Sequence, residues 1–347
     1  MGGSKDLRMS NLKGILIFLV VFGHFIELYK KEYYELFVFI YAFHMPVFIF
    51  ISGYFAKRMR ISKIINLILL YLIFQTFFNI ILFLTGDTPF QFTYGEPHFH
   101  LWYIVSLGVW YSIVYVISKF NLNARNKWIV FIVLCIIGFM SRWYTDSIED
   151  FVKQFYGDFS SYTLSYQRTL SFMPFFFVGY FMNKETLQSV YESIQNNLAT
   201  YFVLVITIFI SFYYFQMDND MESVFRGSYG IHRYLADSDG LIIYFLKIGV
   251  HYLLALWLCY LLCIFVSKNV NILTKWGDNS LTIFLFHPVF VFILRQSEFM
   301  DDWDPLTKLS FCLMLATMVT LLLSNKYFVK YTKWMCNPYS AIKNAFH

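Results

Sequence analysis

The residues best placed to do chemistry in this chain stand in the stretch NLKGILIFLVVFGHF, Asn11 to Phe25. Lys13 and His24 flank an apolar run eleven positions apart, which is three helical turns. A helix therefore brings both to one face, roughly 16 Å apart along its axis. A charge or an imidazole inside hydrocarbon is expensive unless it has a partner or a use. A neutral imidazole can take a proton from a weak nucleophile, or carry an acyl group itself. Glu27, one turn beyond His24, is close enough to hydrogen-bond the ring and fix its tautomer. Lys13 also reads more plainly as an anchor at the cytoplasmic mouth of a membrane helix.

Other polar residues interrupt apolar sequence in the same way. FHMPVFIFISGYFAKR (Phe43 to Arg58) carries His44 two positions before Pro46, and a Ser52-Gly53 patch where helices can approach closely. GEPHFHLWYI (Gly95 to Ile104) crowds Glu96, His98 and His100 at the outer start of a span. Arg168 opens RTLSFMPFFFVGYF, and His287-Pro288 lies inside WGDNSLTIFLFHPVF. His44 and His287 read equally well as caps on proline kinks and as ligands. Lys247 and His251 are spaced i,i+4 on one face. Together these residues predict a polar cavity within a bundle, open outward and ringed by His, Glu and Arg.

The elements that must position them are membrane helices. The chain of 347 residues is 58% hydrophobic and only 14% charged, with mean hydropathy +0.54. Soluble domains are roughly a quarter charged, and this much apolar surface cannot be hidden in a water-soluble fold of this length. Apolar runs fall at about 14–29, 35–55, 64–85, 101–118, 128–144, 169–182, 199–216, 243–266, 280–296 and 307–328. Continuous runs of this kind predict helices, whereas barrel strands would alternate. The expected fold class is an all-α integral membrane protein, a single bundle of about ten transmembrane helices with both termini cytoplasmic. That orientation follows from Lys and Arg, which cluster in the loops sharing a side with the N-terminus, while most acidic residues fall on the other face. Residues 1–347 are expected to form one membrane-embedded domain, with 1–10 a flexible cytoplasmic start and 330–347 a cytoplasmic tail. Segments 145–168 and 217–242 are external and large enough to roof a cavity. No cleavable signal pattern precedes the first run. The five cysteines form neither a disulfide framework nor a metal-ligand spacing, so no metal is expected. The scattered basic residues point away from nucleic acid.

The lysine, ten residues and histidine of the opening run resemble the start of the membrane-bound acyltransferase 3 family. The usual basic residue there is arginine, and Lys13 resembles the branch of fucose 4-O-acetylases and capsular or cell-wall polysaccharide O-acetyltransferases. FHMPVFIFISGYF, HLWYI, RTLSFMPFFFVGY and GDNSLTIFLFHP resemble the family's later landmarks, in order, from about 7 to 328. The resemblance implies transfer of an acetyl group from cytoplasmic acetyl-CoA, the co-substrate, to a sugar hydroxyl of an extracytoplasmic glycan or lipid-linked sugar. It matches His24 to the essential histidine, as general base or transient acyl carrier, and Lys13 to the basic position. Glu27 would orient His24. Lys13, Lys57, Arg58 and Arg60 are candidates for holding the donor's phosphates. His44, Glu96, His100, Trp102, Tyr103, Arg168, Arg233 and His287 are candidates for the acceptor side or the cavity, where aromatics can stack on sugar faces. The implied location is the cell membrane, multi-pass, of a bacterium, and a homo-oligomer is compatible with it. The competing reading is a glycan exporter or flippase that uses the same fold without transfer chemistry. A third, a proton-coupled transporter with His24, His44 and His287 as a relay, would expect internal repeats that the sequence lacks.

Overall fold

The structure, a computed structural model, describes residues 6–86, 92–120, 122–192, 198–217, 221–230, 240–297 and 299–345. In chain order the α-helices are α1 (Leu7–Glu27), α2 (Tyr34–Tyr54), α3 (Ile61–Leu84), α4 (Trp102–Ile117), α5 (Ala124–Met140), α6 (Thr145–Lys153), α7 (Tyr166–Phe181) and α8 (Lys184–Glu192). They continue as α9 (Leu198–Met217), α10 (Met221–Arg226), α11 (Leu241–Phe265), α12 (Ile272–Asp278), α13 (Ser280–Arg295), α14 (Pro305–Leu323), α15 (Lys326–Cys336) and α16 (Pro338–Ala345). No strand occurs among the described residues. The chain is a multi-pass, all-helical membrane protein.

Each of the ten apolar runs coincides with a helix, but they do not all cross a membrane in the same way. Seven helices are individually long and apolar enough to span. Two more candidate spans are bent pairs, α5 with α6 at 81° and α12 with α13 at 86°, which raises the number to as many as nine. The helix with the shortest expected run, α7, has 16 residues and Pro174 inside it.

Both ends of the chain are more structured than expected. Asp6 accepts a hydrogen bond from the Met9 amide at 3.2 Å and caps α1, so residues 7–10 form its first turn. Asn11, fully buried, donates from Nδ2 to the carbonyls of Ser267 (2.7 Å) and Asn269 (2.9 Å) and accepts from the Thr274 hydroxyl. That single amide ties the start of α1 to the turn before α12, which has its own capping box of Asn271 and Thr274. At the other end, α15 and α16 fold back beside α3, where the Tyr339 amide donates to Asn66 Oδ1 at 3.1 Å. Their polar and apolar residues alternate at helical spacing, so they lie along the bundle instead of trailing from it.

Two backbone contacts fix the centre. A Cβ on Gly14 would lie 2.1 Å from the Leu273 carbonyl oxygen, and one on Gly277 would lie 1.8 Å from that of Ser10, so α1 and α12 touch through their backbones. The same is true of α2 and α7, where Cβ atoms on Gly53 and Gly179 would lie 1.9 Å and 2.0 Å from the carbonyl oxygens of Phe176 and Phe50. Small residues permit such packing in a membrane, where apolar burial itself gives helices no reason to associate. A Gly53→Ala substitution is expected to force α2 and α7 apart, at a cost of about 1–3 kcal/mol. Thermal unfolding in detergent would read this as a lowered midpoint. Gly108→Ala is the control: nothing lies within 4 Å of its Cβ position, and the midpoint should not fall.

Candidate active site

The site begins with a carboxylate. Glu27 ends α1, and its Oε2 accepts from Tyr41 OH of α2 at 2.7 Å and lies 3.1 Å from His24 Nδ1. Its other oxygen, Oε1, accepts from Arg226 Nη2 of α10 at 2.6 Å. A carboxylate only accepts, so Nδ1 of His24 carries the hydrogen. In the neutral ring Nε2 then bears the lone pair, with no protein partner among the described residues. Histidine, carboxylate and tyrosine are thus locked in the tautomer that leaves a base exposed.

A charge network closes behind this base. Arg226 also donates from Nε to Glu222 Oε1 at 2.9 Å, and Lys30 Nζ reaches the same oxygen at 2.9 Å. Burial alone would depress the Arg226 guanidinium, but Glu27, Tyr41 and Glu222 more than offset it and raise its pKa. The arginine is a permanent cation and the two acids balance it together with Lys30. Arg142, at the bend between α5 and α6 and only 1% exposed, holds α10 in place. Its Nη1 donates to the Val224 carbonyl at 2.7 Å, Nε to Ser171 Oγ at 3.2 Å, and Nη2 lies 3.3 Å from His251 Nδ1.

Two cavities lie at opposite ends of α1, and His24 lines the first of them. The cavity at its own end is about 430 Å³ and is lined by Glu27, Lys30, Phe99, Val291 and Arg295 among others. The cavity at the Lys13 end is about 780 Å³, lined by Lys13, Ser52, Lys63, Tyr103, Phe284 and Lys333 among others. Between them stand three imidazoles. His24 stacks on His287 with ring centroids 5.3 Å apart, and His287 lies 5.2 Å from His100. His100 then meets Phe284 edge-on at 4.4 Å, and Phe284 lines the second cavity. No group of three or more metal-ligating side chains among the described residues is arranged to hold an ion.

The predicted residues divide among these places. Lys13 lines the larger cavity, with its Nζ 5.7 Å from the Phe55 ring centroid. Lys57 turns away, donating to the Met182 carbonyl and stacking on Tyr54, while Arg58 and Arg60 are exposed and line neither cavity. Lys63 and Lys333 take the positions beside Lys13 instead. His44 stays within α2, its Nδ1 donating to the Ile40 carbonyl at 2.6 Å. That carbonyl is not the one Pro46 frees, which belongs to Ala42. His287 does the same within α13, to Ile283 at 3.0 Å. Glu96 is exposed in the loop before α4, accepting from Ser160 Oγ at 3.2 Å, away from His24. Its neighbour His98 lies 2.7 Å through Nε2 from Asn79 Oδ1, and burial lowers its pKa against the opposing charge of Glu96. Tyr103, in the first turn of α4, lines the larger cavity. Its hydroxyl is 2.5 Å from Ser52 Oγ. Trp102 stacks on Phe172 and carries Arg168 over its face at 5.2 Å. Arg233 lies outside the described residues.

Tyr41, Glu222, Arg226 and Arg142 went unread in the sequence. Tyr41 is one of 27 tyrosines, and Arg226 lies 199 positions from its carboxylate, so neither has a local signal.

A histidine held by a carboxylate thus lines one cavity of a helical membrane bundle, and a second cavity lies at the other end of the same helix. The sequence profile of the acyltransferase 3 family, an acyltransferase domain, matches residues 6–325, and the chain belongs to that family. No curated protein and no solved structure gave a significant match.

The Glu27–Arg226 pair sits largely out of water, with side chains 27% and 18% exposed. A double-mutant cycle of Glu27→Gln and Arg226→Gln, read by thermal unfolding, is expected to give a coupling of about 1–3 kcal/mol. The exposed Lys153–Glu149 pair in α6 should give close to none.

Proposed function

We propose that the protein transfers an acetyl group from cytoplasmic acetyl-CoA to a sugar hydroxyl of an extracytoplasmic glycan or lipid-linked sugar. The observation that carries this reading is His24 itself, hydrogen-bonded by Glu27 through Nδ1 and lining the smaller of two cavities that lie at opposite ends of α1. The larger cavity suits the donor. Lys13, Lys63 and Lys333 line it, along with Asn66 and Ser340, and cations with hydroxyl and amide groups are what CoA phosphates require. The positive-inside pattern puts that end in the cytoplasm. The smaller cavity suits the acceptor, and Arg168 over Trp102 offers a nearby cation with an aromatic face.

In this reading the sugar hydroxyl attacks the thioester carbonyl while His24 Nε2 takes its proton. Glu27 stabilises the imidazolium that forms, and its bonds to Tyr41 and Arg226 keep it from rotating away. Direct attack and a transient acetyl-His24 both fit this geometry.

Incubation of the purified protein with radiolabelled acetyl-CoA and a polysaccharide fraction should label the polysaccharide, and His24→Ala should abolish this while the protein stays folded. Turnover retained by His24→Ala would overturn the role given to the histidine. Label trapped on the protein without acceptor would select the covalent route. For the donor cavity, CoA should raise the unfolding temperature of the wild type, and the double variant Lys63→Gln, Lys333→Gln should lose most of that shift. A stabilisation unaffected by the two substitutions would place CoA elsewhere, and no stabilisation at all would favour an exporter.

A further inference from the structure

Acyl transfer needs a hydrogen-bond donor for the oxygen of the carbonyl under attack, because negative charge gathers there as the new bond forms. That carbonyl must meet both a hydroxyl arriving from the His24 cavity and a thiol leaving through the Lys13 cavity. It therefore sits at the wall of rings between them, formed by His24, His287, His100 and Phe284.

Most donors at or beside this wall are already committed. Nδ1 of His24 donates to Glu27, and Nδ1 of His287 to the Ile283 carbonyl. Tyr41 donates to Glu27. Ser52 donates to the Phe48 carbonyl at 3.0 Å, so the short contact between Ser52 and Tyr103 uses the tyrosine's hydrogen. His100 is the exception. It is 4% exposed, and neither of its ring nitrogens has a hydrogen-bond partner among the described residues. In every protonation state at least one of them carries a hydrogen. A buried N–H without an acceptor costs about 1–3 kcal/mol, and such a group in a native fold calls for a use.

The backbone also invests in placing this ring. Phe99, just before it, is a non-glycine residue at φ 45°, in the left-handed region. Such a conformation costs on the order of 1–3 kcal/mol. It is held by the Phe99 ring packed at 4.5 Å on Phe292 and under Arg295 at 5.4 Å. The chain thus turns sharply one residue before His100 and drives its side chain into the wall, between Phe78 and Phe284.

We propose that His100 is a catalytic residue, the electrophilic partner of His24, whose ring N–H binds the thioester carbonyl oxygen and holds the oxyanion during transfer. The inference rests on the acetyl-CoA reading above. In the step, the sugar oxygen forms a bond to the carbonyl carbon and the carbonyl π electrons move to the oxygen held by His100. The hydroxyl proton passes to His24 Nε2. Collapse of the oxyanion restores the carbonyl and breaks the carbon–sulfur bond, and the proton held by His24 passes to the departing thiolate, leaving an ester, free CoA and a neutral histidine. His287 lies between the two histidines and, with its own N–H committed to Ile283, sets their separation.

The test needs no acceptor. A ketone analogue of acetyl-CoA, in which a methylene replaces the thioester sulfur, keeps the carbonyl and cannot be cleaved. Isotope-edited infrared spectra of the carbonyl-labelled analogue bound to the wild type should show its stretch lowered relative to the same ketone in apolar solvent. His100→Phe, which preserves packing on Phe78 and Phe284, should bind the analogue with the band returned upward. His100→Gln, which retains an N–H at similar reach, should restore part of the lowering. Turnover of acetyl-CoA should fall about 100-fold or more in kcat for His100→Phe with little change in KM. A wild-type band at the apolar-solvent position overturns the proposal without any variant, as does a lowered band that His100→Phe leaves unchanged. An analogue and CoA that both fail to bind the wild type would instead overturn the donor reading on which the proposal stands.

Discussion

A carboxylate at the end of a membrane helix must find donors or be driven out toward water, and Glu27 finds a histidine, a tyrosine and an arginine. The rest of the site depends on that knot. It joins α1 to α2 through Tyr41 and α1 to α10 through Arg226, and it decides which nitrogen of His24 is bare. The knot is also nearly balanced in charge, since Glu27 and Glu222 face Arg226 and Lys30. A proton arriving on His24 would meet a carboxylate already oriented toward it, so little reorganisation would accompany the change in charge. Such preorganised electrostatics is the largest single contribution in many enzymes.

What holds the knot still is the packing beneath it. The backbones of α1 and α12 touch at Gly14 and Gly277, and those of α2 and α7 touch at Gly53 and Gly179. These contacts leave no room for α1 or α2 to slide, and they set the floor of the larger cavity at the α12–α13 bend, where Asp278 and Asn279 line it. Arg142 performs the same service for α10. It spends its donors on a backbone carbonyl, a serine and a histidine, with no carboxylate among the described residues within ion-pair distance. A buried cation satisfied by dipoles in this way is acceptable only where its polar groups find partners and the surroundings are fixed.

Much of this was legible in sequence, and the boundary of legibility is physical. Ten apolar runs became ten helices because continuous hydrophobicity over 15 to 20 residues has few other outcomes in a membrane. His24 and Glu27 were legible because i,i+3 spacing puts them on one face. The short helix α12 was not, since seven residues with Lys275 and Asp278 among them read as a loop, and only the Asn271 cap and the contact with α1 make it a helix. The packing of the tail against α3 was not legible, because the Asn66–Tyr339 hydrogen bond joins residues 273 positions apart. Lys57, Arg58 and Arg60 were expected at the donor cavity by sign and side. Lys57, however, donates to the Met182 carbonyl, and Arg58 and Arg60 lie in the connection before α3, whereas Lys63 on α3 and Lys333 on α15 line the cavity.

The wall of rings between the cavities has a consequence for selectivity. A thioester donor of the kind proposed above is open to attack by water as well as by sugars, so its carbonyl must be kept dry. Aromatic rings do this without presenting charge: Phe78, Phe284 and Phe292 surround the histidines, and Phe99 stands at the outer lip. The price of such a wall is that any polar group in it must be fully employed or strained. His287 and His44 are employed by turning their N–H groups onto carbonyls of their own helices, which explains why histidines beside prolines need not be ligands. His100 has no such local outlet, because the turn at Phe99 leaves no helical carbonyl one turn behind it. A ring that cannot satisfy itself locally, in the wall between the cavities, has on the proposed reading the donor's carbonyl oxygen as its partner.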